Sequence, residues 1–243
     1  MDLKRGDMMA SRLRQSHDVD PVRHNREIVK SELFFRRNYL RHLPADKAAS
    51  ILEIGCGLGH FMEFCKTNGY TDVTGLDLSE YNVTFCCNRG FRAELCEGGA
   101  YLEQTDRRYA VIVMNDVIEH IPKDHILPLL ELIRSRLLAG GAFIMKTLNA
   151  ANPILGAHGR YADFTHETSW TEESMREVLE QTGYVRVAVY PSNLYVFYRN
   201  PLNWVAWSVA SCFELFFLAY FRLHGRTSAH IFTKNIIGVG RSE

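Results

Sequence analysis

Apolar positions in this chain first recur at helical spacing between 25 and 43, where Ile28, Leu33, Phe34, Tyr39, Leu40 and Leu43 predict a helix leading into Pro44. Beyond it, strand-like and helix-like stretches alternate. Strands are predicted at 50–54, 73–77, 92–96, 109–115 and 142–148, with helices at 61–68, 80–88 and 124–138. Alternation of this kind builds right-handed strand–helix–strand units and a mostly parallel sheet covered on both faces, with ligands at the carboxyl ends of the strands. A further helix at 171–182 is marked by Thr171 as its cap, by Glu172, Glu173 and Ser174 in its first turn, and by Gly183 at its close. Two more strands, 184–190 and 231–239, follow it. Residues 1–23 lack apolar periodicity and are read as a polar N-terminal segment ahead of a single domain at 24–243.

The first strand runs into Ile51-Leu-Glu-Ile-Gly-Cys-Gly-Leu-Gly59, three glycines at alternate positions with an acid two residues before the first. Glycine lacks a Cβ, so such a loop can take positive φ and let a ligand approach bare main chain, while the helix after it offers free N–H groups. A dinucleotide loop reads Gly-x-Gly-x-x-Gly; here Glu53, Gly55, Gly57 and Gly59 give Glu-x-Gly-x-Gly-x-Gly. The second strand ends in Asp77, 18 positions after Gly59, where an acid can accept both hydroxyls of a ribose.

These two coupled signals resemble those of the class I S-adenosylmethionine-dependent methyltransferases, over residues 25–190. The resemblance implies an α/β, Rossmann-like fold: a seven-stranded, mostly parallel sheet with an antiparallel last strand and helices on both faces; the chain's own pattern adds an apolar helical insertion between the last two strands. It implies S-adenosyl-L-methionine as cofactor. Glu53, Gly55, Gly57 and Gly59 carry over to its methionine and ribose side, Asp77 to the ribose hydroxyls, Leu78 to the adenine face, Glu97 and Gly98 to the flank of the adenine, and Asn115 and Val117 to the pocket lining. Cys56 belongs to the same loop and is counted with the cofactor-binding residues, its own side chain being read as packing.

Composition narrows the partners. Lys plus Arg equals Asp plus Glu at 28 each, so no global field recruits nucleic acid. Basic residues do gather locally, Lys4, Arg5, Arg12, Arg14, Arg23 and Arg26 and then Arg36, Arg37 and Arg41, as a solvated helix face or a contact with an anionic membrane. Six cysteines without paired spacing are read as reduced thiols, not as a disulfide frame or zinc site. No signal peptide is expected from the polar, charged start, which places the protein in the cytoplasm or on the inner face of the cell membrane.

Methyl transfer from a sulfonium is an in-line displacement that needs an aligned acceptor and, for a hydroxyl, one proton acceptor. Two polar segments supply candidates. Asn115-Asp-Val-Ile-Glu-His-Ile121 follows the fourth strand, and its His120 can face cofactor or acceptor, while Glu119 and His120 as helix caps are the structural alternative. Gly159-Arg-Tyr-Ala-Asp-Phe-Thr-His-Glu167 precedes the Thr-capped helix and looks like a segment of bacterial methyltransferases of polysaccharide and lipopolysaccharide biosynthesis. That resemblance makes His166 or Asp163 the proton acceptor and Arg160 a contact to a substrate phosphate or sugar; Asp163 bonding backbone amides and His166 packing beneath the helix is the structural alternative. Asp163, His166 and Glu167 are metal-ligand types, but their spacing matches no recurring site, so no metal is assigned.

Between Trp204 and Phe221, 15 of 18 residues are apolar or aromatic, inside an insertion taken as 200–226. Spanning a bilayer would place Glu214 near its middle, at a cost of order 3 kcal/mol, and would strand the last strand across the membrane from its sheet. The segment is therefore expected to lie along a membrane surface, with Trp204 and Trp207 at one end and Arg199, Arg222 and Arg226 flanking it; a helix buried in a homodimer is the alternative. O-methylation of a lipid-linked or membrane-bound glycan follows as the first expectation. A quinone-biosynthesis O-methyltransferase is its rival, since the 116–121 segment also resembles those enzymes. A non-catalytic cofactor-binding membrane scaffold is the reading of another class.

Overall fold

The computed structural model describes residues 21–192 and 201–243, so the cationic side chains expected at 4–14 and Arg199 lie outside the described residues. Seven strands form one sheet in the order β3-β2-β1-β4-β5-β7-β6. They are β1 (Ile51–Ile54), β2 (Val73–Asp77), β3 (Arg92–Leu95), β4 (Tyr109–Asn115), β5 (Leu137–Leu148), β6 (Val185–Pro191) and β7 (Asn235–Arg241). The first five run parallel, and β7 lies antiparallel between β5 and β6. This is the Rossmann-like, mostly parallel sheet with its last strand antiparallel that the alternation and the resemblance imply. Because β6 is antiparallel to β7 as β5 is, β6 points the same way as the cofactor strands, and the chain leaves its carboxyl end on their edge of the sheet.

Helices cover both faces because each strand's alternate residues are apolar. On one face α1 (Pro21–Asn38) and α2 (His60–Thr67) bury Phe34, Phe35, Tyr39, Phe61 and Phe64 against Ile51, Val111, Val113 and Ile144, and α3 (Glu80–Asn88) adds Cys86 beside Cys56 and Met62. On the other, α4 (Gly98–Gln104), α5 (Lys123–Ser135) and α7 (Glu172–Gln181) set Leu102, Leu130, Ile133, Met175 and Leu179 on Leu52, Ile112, Met114 and Phe143. Thr171 caps α7 through a reciprocal box: its hydroxyl accepts from Ser174 N at 3.2 Å, and Ser174 Oγ accepts from Thr171 N at 2.9 Å.

The structure departs from the sequence pattern in four places. Helix α4 and a helix α6 (Leu155–Ala162) occupy stretches read as loop, so half of the polar 159–167 segment is helical. Strand β5 begins at Leu137, inside the predicted end of the preceding helix, because Arg136 already closes α5 and Gly140 turns the chain at φ +71°. Strand β7 begins at Asn235 and not at 231, since the carbonyls of Ile231, Phe232 and Thr233 are taken by the side-chain amides of Asn149 and Asn152 and are not available to a ladder.

Between β6 and β7 stands α8 (Pro201–Leu223), 23 residues long and apolar enough to cross a membrane by length and composition. Of its side chains Phe217 is buried, and it packs with Phe232 and Ala151, with Leu218 and Phe221 alongside. Among the described residues much of its apolar surface is exposed: Phe213 is 51% exposed, Phe216 60% and Leu215 65%.

Candidate active site

Strand β1 delivers the chain to its carboxyl edge at Ile54, where Gly55 and Cys56 both donate their N–H groups to Leu76 O, at 2.8 and 2.9 Å. Two carboxylate oxygens at the end of β2 then fix the turn. Asp77 Oδ2 accepts from Gly57 N at 2.7 Å, and Oδ1 accepts from Ser79 N at 2.8 Å and from Asn82 Nδ2 at 3.2 Å. Gly55 has φ +76°, and a Cβ there would stand 2.3 Å from Val117 Cγ2; Gly57 has φ +52° and nothing within 4 Å of its missing Cβ. The first glycine is required by close packing, the second leaves bare main chain facing open space.

That space is a cavity of about 1070 Å³ at the carboxyl edge of the sheet. Gly55, Gly57, Asp77, Leu78 and Asn82 form one wall, Glu97, Gly98 and Gly99 another, and Asn115, Asp116, Val117 and His120 the side toward β4. Leu129 and Leu132 of α5, with Ile121 and Pro122, supply an apolar floor. Glu97 also caps α4, accepting from Ala100 N at 2.7 Å.

Beneath the glycine turn Glu53 is 3% exposed. Its Oε1 accepts from Asn115 Nδ2 at 3.2 Å, and Asn115 Oδ1 in turn accepts from the fully buried Tyr39 hydroxyl. Glu53 Oε2 is buried with no hydrogen-bond partner among the described residues. Burial holds the Glu53 carboxyl well above its ordinary range. An orphaned buried oxygen, a main-chain turn with room beside it and an acid-ended second strand suit the adenosyl cofactor that the sequence implies.

The second centre of the site is built across a long sequence separation. The carbonyl of Glu119, in the single 3-10 turn Ile118–His120, accepts from Glu167 N at 2.7 Å and from Thr168 N at 3.2 Å, and this docks the 163–168 segment on the end of β4. As a result the rings of His120 and His166 meet with centroids 4.7 Å apart. Thr165 Oγ1 donates to Asp163 Oδ1 at 2.7 Å and lies 2.9 Å from His120 Nδ1, so the imidazole Nδ1–H donates to the hydroxyl oxygen. His166 Nδ1–H donates to Gly159 O at 2.8 Å. In the neutral form of each ring the free lone pair is then on Nε2. Burial, then the neighbouring His166, lowers the His120 pKa, and burial pushes the Glu119 carboxyl up to about 7. Glu119 Oε2 accepts from Thr147 Oγ1 at 2.8 Å.

Of the residues singled out from the sequence, Gly55, Gly57, Asp77, Leu78, Glu97, Gly98, Asn115, Val117, His120 and Asp163 line the one cavity. Glu53, Cys56, Gly59 and His166 lie behind its wall. Cys56 packs with Met62 and Cys86, its Sγ 2.9 Å from where a Cβ on Gly75 would stand. Arg160, expected to reach a substrate, turns back onto Glu167 O at 3.3 Å. The sequence pattern left out Asn82, Thr165 and the apolar floor; only the helical spacing of Leu129 with Ile126 and Ile133 could have pointed to that floor, since the others carry no periodic signal.

A family model described as a methyltransferase domain matches residues 22–189. Among solved structures, an S-adenosylmethionine-dependent methyltransferase from Archaeoglobus fulgidus is 21% identical with a TM-score of 0.66, covering 89% of this chain and 94% of that one. The plantazolicin methyltransferase BpumL, solved with S-adenosylhomocysteine, is 18% identical with a TM-score of 0.56, covering 95% and 94%. A tRNA U34 carboxymethyltransferase of Vibrio cholerae is 28% identical over 167 residues, 64% of this chain and 50% of the relative. The chain spans about half the length of the curated relatives it matches.

Proposed function

We propose that this chain, which belongs to the methyltransferase domain family and is an enzyme using S-adenosyl-L-methionine, methylates a hydroxyl group of a lipid-linked or membrane-bound glycan. The observation that carries the acceptor is the position of α8. Among the described residues its packing of Phe217 and Phe221 on Phe232 and Ala151 lies just past the carboxyl end of β5, on the edge that holds the cavity, and large apolar side chains such as Phe213, Leu215 and Phe216 are exposed. A helix so placed can rest in the interface of a bilayer and hold the cavity mouth against it. We read residues 24–243 as one methyltransferase domain with 200–226 as that insertion.

Bound in the cavity, S-adenosylmethionine supplies a methyl group whose C–S electron pair returns to sulfur as the acceptor oxygen forms the new C–O bond. The chain's own residues bind and orient. Asp77 already accepts three donors and, with about four lone-pair positions on a carboxylate, has room for one ribose hydroxyl where the sequence suggested two. Leu78 and Gly98, which line the cavity, would flank the adenine, and Gly57 would lie along the methionine side. His120 faces the acceptor with its ring held by Thr165, and the Asp163 carboxylate on the same wall takes the acceptor's proton. Phe164, 83% exposed between the lining residues Asp163 and Thr165, offers an aromatic face to a sugar ring at the mouth. With 28 cationic and 28 anionic side chains, nothing in the chain's overall charge favours the tRNA acceptor named for the relative.

Incubating a membrane extract with methyl-labelled S-adenosylmethionine and this protein is expected to put label into lipid-linked glycan. Label in quinone instead would replace the sugar by a prenylated ring, and label confined to soluble products would overturn a membrane substrate altogether. Flotation with anionic vesicles tests α8 separately: the intact protein is expected to rise with the lipid, and Trp204→Ser combined with Phe216→Ser to stay behind. Equal flotation of both proteins excludes the helix as the contact.

A further inference from the structure

We infer that Glu119, His120 and His166 form a binding site for a first-row divalent cation beside the cavity, which His120 of the three lines, a role that rests on the O-methylation reading and deepens it. The ligand atoms of these three side chains lie within 4.8 Å of one another. Ligands about 2.1 Å from a shared ion are separated by roughly 3–3.5 Å, so the gap left to close is of order 1 Å, within the reach of side-chain rotation. Two imidazoles and one carboxylate, with positions left over, are the donor set of an open catalytic metal site.

A second observation points to a ligand independently of proximity. Imidazoles that bind metals hand their other ring N–H to an oxygen, which fixes the tautomer and the ring plane. Both histidines do this here: His166 Nδ1–H donates to Gly159 O at 2.8 Å, and His120 Nδ1–H donates at 2.9 Å to Thr165 Oγ1, itself bonded to the Asp163 carboxylate at 2.7 Å. In their neutral forms both rings then keep Nε2 for a ligand, and the Glu119 carboxylate, 2% exposed, belongs to the same cluster. A pair of histidines that served only as a proton relay would need one ring to present an N–H to the other.

The ion faces the cavity through His120. It binds the acceptor oxygen and so holds it beside the methyl donor; the O–H bond then breaks with its proton passing to the Asp163 carboxylate on the same wall, and the electron pair stays on oxygen. An acceptor with two neighbouring oxygens, such as a vicinal diol of a sugar, can occupy two of the ion's open positions at once.

The test uses Mn2+ alone, a hard ion that thiols bind poorly, and needs neither acceptor nor turnover. Chelator-treated protein is titrated with Mn2+ while the resonance signal of the free ion is followed, and S-adenosylmethionine affinity is measured on the same samples by calorimetry. Wild type is expected to withdraw one Mn2+ per chain; His166→Ala and Glu119→Gln are each expected to weaken this by at least about 10-fold, with Thr165→Val in the same direction. Cofactor affinity is expected to hold in His166→Ala, which reports an intact fold. Signal unchanged by the wild-type protein, or withdrawn equally by wild type and His166→Ala, overturns the site, and either result leaves the methyltransferase reading standing.

Discussion

Asp77→Ala is expected to weaken S-adenosylmethionine binding by roughly 10²–10³-fold, the loss of about 3–4 kcal/mol. Two effects add. The carboxylate contributes a charged hydrogen bond to the cofactor's ribose, worth about 1.5–3 kcal/mol. It also ties the glycine turn to the end of β2 through Gly57 N, Ser79 N and Asn82 Nδ2. Without it the Gly57 amide loses its acceptor in a wall that must stay bare and fixed. Asp77→Asn separates the two effects: its carbonyl oxygen, in the place of Oδ1, can keep Ser79 N and Asn82 Nδ2, its amide cannot accept from Gly57 N, and an intermediate loss follows. Calorimetry on folded variants, checked by circular dichroism, measures both. Wild-type affinity in Asp77→Ala would remove the acid-ended strand from cofactor binding and with it the basis for placing the ribose.

What could be seen in the sequence was local. The Glu53-to-Gly59 turn and Asp77 were legible because positive-φ glycines and a strand-ending acid are set by neighbouring residues. The capping of α7 was legible for the same reason. Helix α4 was not: it opens on Gly98 and Gly99, poor helix formers, and its cap is Glu97, which is not among the favoured capping residues. Helix α6 carries Gly156 and Gly159, kept not for propensity but because a Cβ on Gly156 would stand 2.4 Å from Asn149 O and one on Gly159 would stand 2.8 Å from Leu148 Cδ1. Such requirements come from tertiary approach and leave no periodic trace.

The centre of the site was the least legible part. His120 and His166 were each named from the sequence, yet nothing there paired them. Their meeting depends on one backbone carbonyl, Glu119 O, accepting from Glu167 and Thr168. The Tyr39–Asn115–Glu53 chain likewise joins the turn after α1 to β4 and β1, parts of the chain whose contact only the folded sheet creates. Hydrophobic periodicity reports which face of an element is buried, and it is silent on which polar groups of distant elements share that interior.

The pairing makes the second large effect a statement about three residues together. His120→Ala is expected to lower kcat by about 10²–10⁴-fold with cofactor affinity nearly unchanged, since its imidazole is asked to act on the acceptor. If His120 worked alone as a base, His166→Ala, whose ring lies behind the cavity wall, would cost far less. If both hold one cation, each single variant removes the ion, the two fall to similar rates, and the double variant is no slower than either. Single-turnover rates for wild type, both singles and the double therefore decide what the histidines do: equal and non-additive losses fit a shared ion, a large loss confined to His120→Ala fits proton transfer by that ring, and wild-type rates in His120→Ala exclude the pair from the chemistry.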